Sequence, residues 1–111
     1  MNHEKLVCYR TLVEVAERLA IIMASWPKGY GYLEDQLRRA MASAILNLAE
    51  GNGKWGSPKE RRRFFQIALG SISEVAACLD LARVFSLLSI SEQNDLKEQL
   101  RASYCRIRKL P

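Results

Sequence analysis

Residues 36–63 read QLRRAMASAILNLAEGNGKWGSPKERRR, and this stretch decides the fold. Its first half repeats small and apolar residues at three- and four-residue steps, as an amphipathic helix does. Gly51 and Gly53 then predict the end of that helix in the left-handed conformation. Residues 57–60 (SPKE) predict the start of another helix, with serine as N-cap, proline in the first turn and glutamate completing a capping box. The stretch therefore predicts two helices joined by a short connection.

Two further amphipathic segments flank this pair. The predicted helices cover about residues 4–25, 33–50, 57–88 and 91–110, with Ser91 as the N-cap of the last. No hairpin signal, repeat or low-complexity segment interrupts them. Four helices with short connections predict a single all-α domain over residues 1–111, an up-and-down antiparallel four-helix bundle.

Apolar spacing also predicts which helix faces lie inside. For the first helix the predicted inner face is Leu6, Tyr9, Val13, Ala16, Ala20 and Met23. For the third helix it is Phe64, Ile67, Ala68, Ile72, Val75, Leu79, Ala82 and Phe85. Gly70 lowers helix propensity by about 1 kcal/mol relative to alanine, so we expect it at a close helix–helix contact.

Composition places the chain among globular proteins, with 111 residues, 49% hydrophobic and 26% charged. The three cysteines form no CxxC pair, and Cys8 and Cys78 lie inside helical patterns, which predicts buried free thiols there and a reducing, cytoplasmic location. No window approaches about 18 uninterrupted apolar residues, and no signal peptide is visible. We therefore expect no membrane span.

Catalytic patterns are missing from the sequence. His3 is the single histidine, and neither a Glu-x-x-His pair nor a zinc-type Cys/His spacing occurs. Residues 51–59 (GNGKWGSPK) lack the four-residue gap that a P-loop has before Gly-Lys-Ser/Thr. These observations predict a protein that is not an enzyme and that uses no cofactor and no metal.

Positive charge is concentrated in two segments of this chain, whose net charge is +5. Residues 54–63 and 97–109 each carry five basic and one acidic side chain, and Trp55 adds an aromatic surface to the first segment. Either the charges contact nucleic acid or they form a solvated face, with Trp55 folded against the bundle. The predicted nucleic-acid contacts are Arg38, Arg39, Lys54, Trp55, Lys59, Arg61, Arg62 and Arg63.

A polar stripe follows the second helix and includes Asn47 and Glu50, which we predict to serve structural polar pairing. Glu50 lies in the last helical turn, where a carboxylate opposes the helix dipole. We therefore expect its basic partner on another helix or another subunit. Leu46 lies beside this stripe and outside the apolar face, which indicates a contact between subunits.

Several pieces of the sequence together carry a family resemblance. They are QLRRA (36–40), NLAEG (47–51), the pair Phe64-Phe65, IALGS (67–71) and Glu74. The chain resembles the four-helix-bundle proteins encoded in intervening sequences of 23S rRNA genes, over nearly its whole length and most closely from Gln36 to Ala82. The resemblance implies the same bundle and a homopentamer with a central channel. A related branch, the accessory variability proteins of diversity-generating retroelements, implies RNA or DNA and a reverse transcriptase as partners.

Two positions depart from the family pattern. Leu46 stands where a small polar residue is common, and Lys54 stands where arginine is frequent. Lysine keeps the charge but loses the planar fork that contacts phosphate with two hydrogen bonds.

The charge distribution and the family resemblance together predict a cytoplasmic, oligomeric bundle that binds RNA or DNA through basic surfaces. The alternative is a scaffold whose basic face docks an acidic protein partner.

Overall fold

The structure, a computed structural model, describes residues 3–111. Its helices are α1 (His3–Ala24), α2 (Gly31–Asn52), α3 (Pro58–Val84) and α4 (Ile90–Arg108), and no strand occurs in the described range. The predicted all-α bundle is confirmed. The predicted helix bounds agree with the observed ones to within a few residues, the largest difference being the earlier end of α3.

The four helices form a ring in chain order. α2 packs most extensively on α3, and the other neighbouring pairs are α3 with α4, α4 with α1, and α1 with α2. Short connections make neighbouring helices antiparallel. As a result α1 and α3 begin at the end of the molecule where α2 and α4 finish, and the whole domain measures 46 × 23 × 18 Å.

The buried face of α1 differs from the predicted one. Its buried residues are Lys5, Cys8, Leu12, Val15, Leu19 and Met23. Of the predicted face, Met23 is buried, whereas Ala16 only flanks the core and Ala20 is exposed. α1 carries two adjacent apolar stripes. From the middle of the helix onward the buried one holds Leu12, Val15 and Leu19, where the predicted one holds Val13, Ala16 and Ala20. Burying these removes more apolar surface from water than burying alanines would, so packing selects that stripe.

The inner face of α3 was predicted correctly in the middle of the helix and wrongly at its ends. Ala68, Ile72, Val75, Leu79 and Ala82 are buried as expected. Near the start of α3, Phe65 is buried, Phe64 is only half-buried and Ile67 is exposed. Phe85, just after the end of the helix, is exposed as well. The reason at the start is space, because the ring of Phe65 packs against Gly51 of α2, which has no side chain.

The glycines act differently from the prediction. Gly51 is the penultimate residue of α2, and Gly53 caps the helix with φ −85°, a right-handed value, so the predicted left-handed ending is wrong. Gly70 is exposed, and a Cβ atom added there would meet nothing within 4 Å. The predicted close helix contact at Gly70 is therefore wrong as well, since this part of α3 faces away from its neighbours in the bundle.

Serine caps begin the last two helices. Ser57 Oγ accepts a hydrogen bond from the Glu60 backbone N–H at 3.3 Å, so the predicted serine cap of α3 is confirmed. The predicted capping box is only half formed, since the Ser57 N–H donates to the Lys54 carbonyl at 3.4 Å and not to Glu60. At α4 the cap is Ser89 rather than Ser91: Ser89 Oγ accepts from the Glu92 N–H at 3.0 Å, and Glu92 Oε1 accepts from the Ser89 N–H at 2.9 Å. The reciprocal capping box requires a glutamate three residues after the serine, and of the two serines before α4 only Ser89 has that spacing.

Alanine substitutions distinguish the two serines before α4. Ser89→Ala is expected to lower the free energy of unfolding by about 1 kcal/mol, because it leaves a backbone N–H of the first turn without its acceptor. Ser91→Ala, already inside the helix and exposed, is the matched control and is expected to change it by less than about 0.5 kcal/mol. Urea denaturation followed by circular dichroism measures both values. Equal losses at the two positions would contradict the assignment of the cap.

The end of the bundle that holds the α1–α2 and α3–α4 connections is rich in apolar side chains. Tyr30 and Phe85 contact each other with ring centroids 5.9 Å apart, and the indole N–H of Trp26 donates to the Leu87 carbonyl at 3.0 Å. Tyr32 and Val84 are largely exposed beside them. Within residues 3–111, α3 is long and apolar enough to pass a length-and-composition test for a membrane span, but its apolar residues include the bundle's core face.

Candidate functional site

The opposite end of the bundle gathers basic side chains from three separate parts of the chain. We call residues 3–6, 50–63 and 106–111 the basic end. The antiparallel topology brings these segments together, and two contacts tie them. Arg61 Nε donates to the Pro111 carbonyl at 2.8 Å, and Lys5 Nζ lies 5.0 Å from the ring centroid of Trp55.

The basic end holds more positive charge than the whole chain. Its basic residues are Lys5, Lys54, Lys59, Arg61, Arg62, Arg63, Arg106, Arg108 and Lys109. Against these nine stand three acidic residues, Glu4, Glu50 and Glu60, so the formal surplus is six. Since the net charge of the chain is +5, the rest of the protein carries a formal charge of −1. The bundle is thus electrically polar along its long axis.

Glu50, in the last turn of α2, pairs with a lysine of the connection that follows the helix. Lys54 Nζ lies 3.7 Å from Glu50 Oε2. The predicted partner on another helix or subunit is therefore replaced by a residue four positions later, which approaches the end of α2 and offsets the unfavourable carboxylate there. Lys59, Arg62 and Arg63 form no ion pair with any residue of the described chain. Their charges remain available to a ligand.

Two aromatic rings lie among these cations. Phe64 is half-buried, with Arg63 Cζ 4.6 Å and Lys54 Nζ 5.7 Å from its centroid. Trp55 lies in the connection before α3, and 69% of its surface is exposed. The alternative prediction, in which Trp55 folds against the bundle, describes only one face of the ring, which lies against Lys5 of α1. Cation–π contacts hold the positive groups close to the rings.

A shallow groove between α3 and α4 opens at the basic end. It has a volume of about 170 Å³, and its lining includes Phe65, Leu69 and Ile107, with Arg62 and Arg108 beside them. The groove joins the basic run of α3 to that of α4.

Other predicted site residues lie elsewhere. Arg38 and Arg39 are exposed on α2. They precede Lys54 by about fifteen residues, so they lie about 20 Å along the α2 axis from the basic end. Arg38 borders an apolar groove between α1 and α2. Within one chain, therefore, the structure groups Lys54, Trp55, Lys59 and Arg61 to Arg63 but leaves Arg38 and Arg39 outside that group.

The second predicted basic segment is divided in the same way. Asp80 of α3 accepts hydrogen bonds from Lys97 at 2.7 Å and from Gln93 at 2.9 Å, and the Lys97 hydrogen bond lowers the pKa of the Asp80 carboxyl. Lys97 is thereby partly neutralised in the middle of the bundle. Arg106, Arg108 and Lys109 belong to the basic end, because α4 finishes there.

Asn47 takes part in polar contacts between α2 and α3. Its side-chain N–H donates to the Ser43 carbonyl at 2.8 Å and lies 3.2 Å from Ser43 Oγ. Ser43 Oγ and Ser71 Oγ are hydrogen-bonded at 2.7 Å. This cluster links the two helices halfway along their contact, so its role is structural.

Sequence reasoning missed two polar residues at the basic end. Lys5 is 3% exposed. Its burial could have been predicted from its position three residues before Cys8 and seven before Leu12, which places it on the buried stripe of α1. Asn52, in the last turn of α2, is 7% exposed, and its side-chain amide forms no hydrogen bond within the described residues. No pattern in the sequence marks Asn52.

The chemistry available here is electrostatic and aromatic. Residues 3–111 contain no group of three His, Cys, Asp or Glu side chains arranged to hold a metal ion. Cys8 and Cys78 are free and buried, as predicted, and burial raises the pKa of both thiols, so they are weak nucleophiles. The arrangement can bind an anion and present an aromatic surface to it.

These features define a class: an antiparallel four-helix bundle with a strongly basic end. The family model of the 23S rRNA-intervening sequence proteins matches residues 4–107, which span all four helices. The chain belongs to this family, and the resemblance found in its sequence is confirmed. No curated protein matches the chain.

Proposed function

We propose that this protein is a non-enzymatic, cytoplasmic, homo-oligomeric bundle that binds RNA or DNA through its basic end. The observation that carries the proposal is the meeting of three chain segments in one surface, where eight basic and three acidic side chains are exposed or half-exposed. Phosphate backbones bind such surfaces by releasing condensed counterions. The family description, which refers to an intervening sequence of 23S rRNA, supports a setting in which RNA is present.

Helix electrostatics add an argument against a purely structural origin of the charge. Lys59 and Arg61 lie in the first turn of α3, where the helix dipole disfavours cations by about 0.3–1 kcal/mol each. The hydrogen bond from Arg61 to Pro111 offsets part of that penalty. Cations at positions that weaken the helix are better explained by a ligand than by stability.

Oligomerisation would multiply the effect of the basic end. Five copies, the number implied by the family resemblance, would carry roughly +25 in total, because each copy carries +5. Leu46 supports a subunit contact, since it is 63% exposed on the side of α2 that faces away from the core. Several weak surfaces on one particle would bind a long nucleic acid more tightly than one surface alone.

The test is fluorescence anisotropy with labelled RNA and DNA oligonucleotides over a series of salt concentrations. We expect wild-type affinity to fall with salt by roughly 0.9 log units per log unit of salt for each phosphate contacted on duplex DNA. The double variant Lys59→Ala/Arg62→Ala, at two exposed positions of the basic end, is expected to bind about tenfold more weakly, with a shallower salt slope.

The matched control removes the same charge elsewhere. Lys28→Ala/Arg101→Ala changes two exposed cations outside the basic end and is expected to keep most of the affinity and the salt slope. Equal losses in both double variants would show that net charge alone governs binding. No binding of any oligonucleotide at low salt would overturn the proposal, and an acidic protein partner retained after nuclease treatment would favour the scaffold function instead.

A further inference from the structure

Trp55 has one aromatic face that this chain does not cover. Lys5 lies against its ring, 5.0 Å from the centroid, and Lys5 itself is 3% exposed. With 69% of its surface exposed, Trp55 cannot have both faces covered. The contact with Lys5 therefore holds the indole from one side and leaves the other side to solvent.

The second tryptophan shows what a structural role looks like in this bundle. Trp26 is partly buried against the core, and its indole N–H donates to the Leu87 carbonyl. A buried tryptophan normally finds such a hydrogen-bond partner. Trp55 lacks comparable burial, so packing within this chain does not explain its large ring at the tip of the connection.

Three cations are close to this ring in space or in sequence. Lys5 lies against it, Lys54 precedes it directly, and Lys59 follows four residues later in the first turn of α3. Proteins that bind single strands combine a positive surface for the backbone with aromatic rings on which bases stack. Bases inside a duplex are already stacked and paired, so a side chain on the protein surface reaches their faces only at an end or where the strand is open.

We infer that Trp55 stacks on an unpaired base, so that the basic end binds single-stranded RNA or DNA in preference to duplex. This inference rests on the nucleic-acid binding proposed above and assigns its substrate class. Lys5 positions the indole, and the exposed cations of the basic end contact the phosphates on either side of the stacked base.

The experiment compares three labelled probes, (rU)12, (dT)12 and a 12-base-pair duplex, a length within the range that single-strand sites cover. Trp55→Ala is expected to weaken binding of both single strands by about tenfold, within the range measured for loss of one base–aromatic stack. Its duplex affinity should change less than twofold. Trp55→Phe keeps an aromatic face and should retain most of the single-strand affinity.

Two controls separate stacking from charge and from misfolding. Trp55→Ala removes no charge, so the salt slope should match wild type, unlike that of Lys59→Ala/Arg62→Ala. Because Trp55 is exposed, the circular dichroism spectrum and unfolding midpoint should also be unchanged. In a Trp26→Phe background, quenching of the Trp55 fluorescence by (dT)12 reports the stack directly.

The outcomes distinguish this inference from the proposed function. Undiminished single-strand binding by Trp55→Ala overturns the stacking inference and leaves nucleic-acid binding in place. Equal losses on single strands and duplex also overturn it, because the indole would then serve the surface as a whole. Failure of the wild type to bind any probe overturns the proposed function and this inference together.

Discussion

Leu79→Ala is expected to lower the free energy of unfolding by about 3 kcal/mol, the largest effect of any substitution considered for this protein. Leu79 lies on α3 with 0% exposure, in the single core that all four helices line. Truncating it loses the transfer free energy of its methyl and methylene groups. It also leaves a cavity, because the neighbouring helices relax only in part.

Leu46→Ala is the matched control, since it makes the same chemical change at a residue that is 63% exposed. In the isolated chain its expected effect is below about 0.5 kcal/mol. Urea denaturation at two protein concentrations measures both variants. If Leu46 lies in a subunit contact, the decrease in the free energy of unfolding caused by Leu46→Ala should depend on protein concentration. The decrease caused by Leu79→Ala should include a component that is independent of protein concentration. Similar, concentration-independent losses at the two positions would contradict the core described above.

Gly51→Ala is expected to destabilise the protein by about 2 kcal/mol, although alanine is normally the better helix former. A Cβ at Gly51 would lie 2.5 and 2.7 Å from two ring carbons of Phe65 and 3.3 Å from the Arg61 carbonyl oxygen. Phe65 is 4% exposed, so its ring has little room to move. Overpacking of this kind forces side chains or backbone to shift.

Gly70→Ala is the control with the opposite expected sign. Gly70 is exposed in the middle of α3, and nothing lies within 4 Å of an added Cβ. Alanine there should stabilise by about 0.4–1 kcal/mol through lower entropy of the unfolded chain. In a Phe65→Leu background the loss at Gly51→Ala should shrink, because the clashing ring atoms are gone. Destabilisation of the same size in both backgrounds would exclude Phe65 as its cause.

The basic end shows how far the sequence predicts a site. The basic runs at residues 54–63 and 97–109 were recognised from the sequence alone, because each is a local concentration of positive charge. Their union with Lys5 depends on antiparallel topology, which brings together residues about fifty positions or more apart in sequence, as in the hydrogen bond from Arg61 to Pro111. Charge runs are local properties of a sequence, whereas a shared surface is a property of packing.

The departures from prediction have two origins, packing for the buried face of α1 and local chemistry for the α4 cap and for Glu50. Apolar spacing allowed two stripes on α1, and the larger residues occupied the core. Glutamate spacing permits one capping box before α4, yet the helical pattern by itself pointed to Ser91 rather than Ser89. Glu50 found its cation in the adjacent connection, because the chain turns there and returns Lys54 to the end of α2.

The sequence by itself determined the four helices, their antiparallel order, the family and the positions of the basic runs. These follow from periodicity, capping residues and composition, which act over a few residues along the chain. Only the tertiary structure decided which stripe of α1 is buried, why Gly51 must lack a side chain, and that one end of the bundle holds a surplus of six positive charges. Each of these depends on which distant segments meet, and helix packing rather than local propensity sets that.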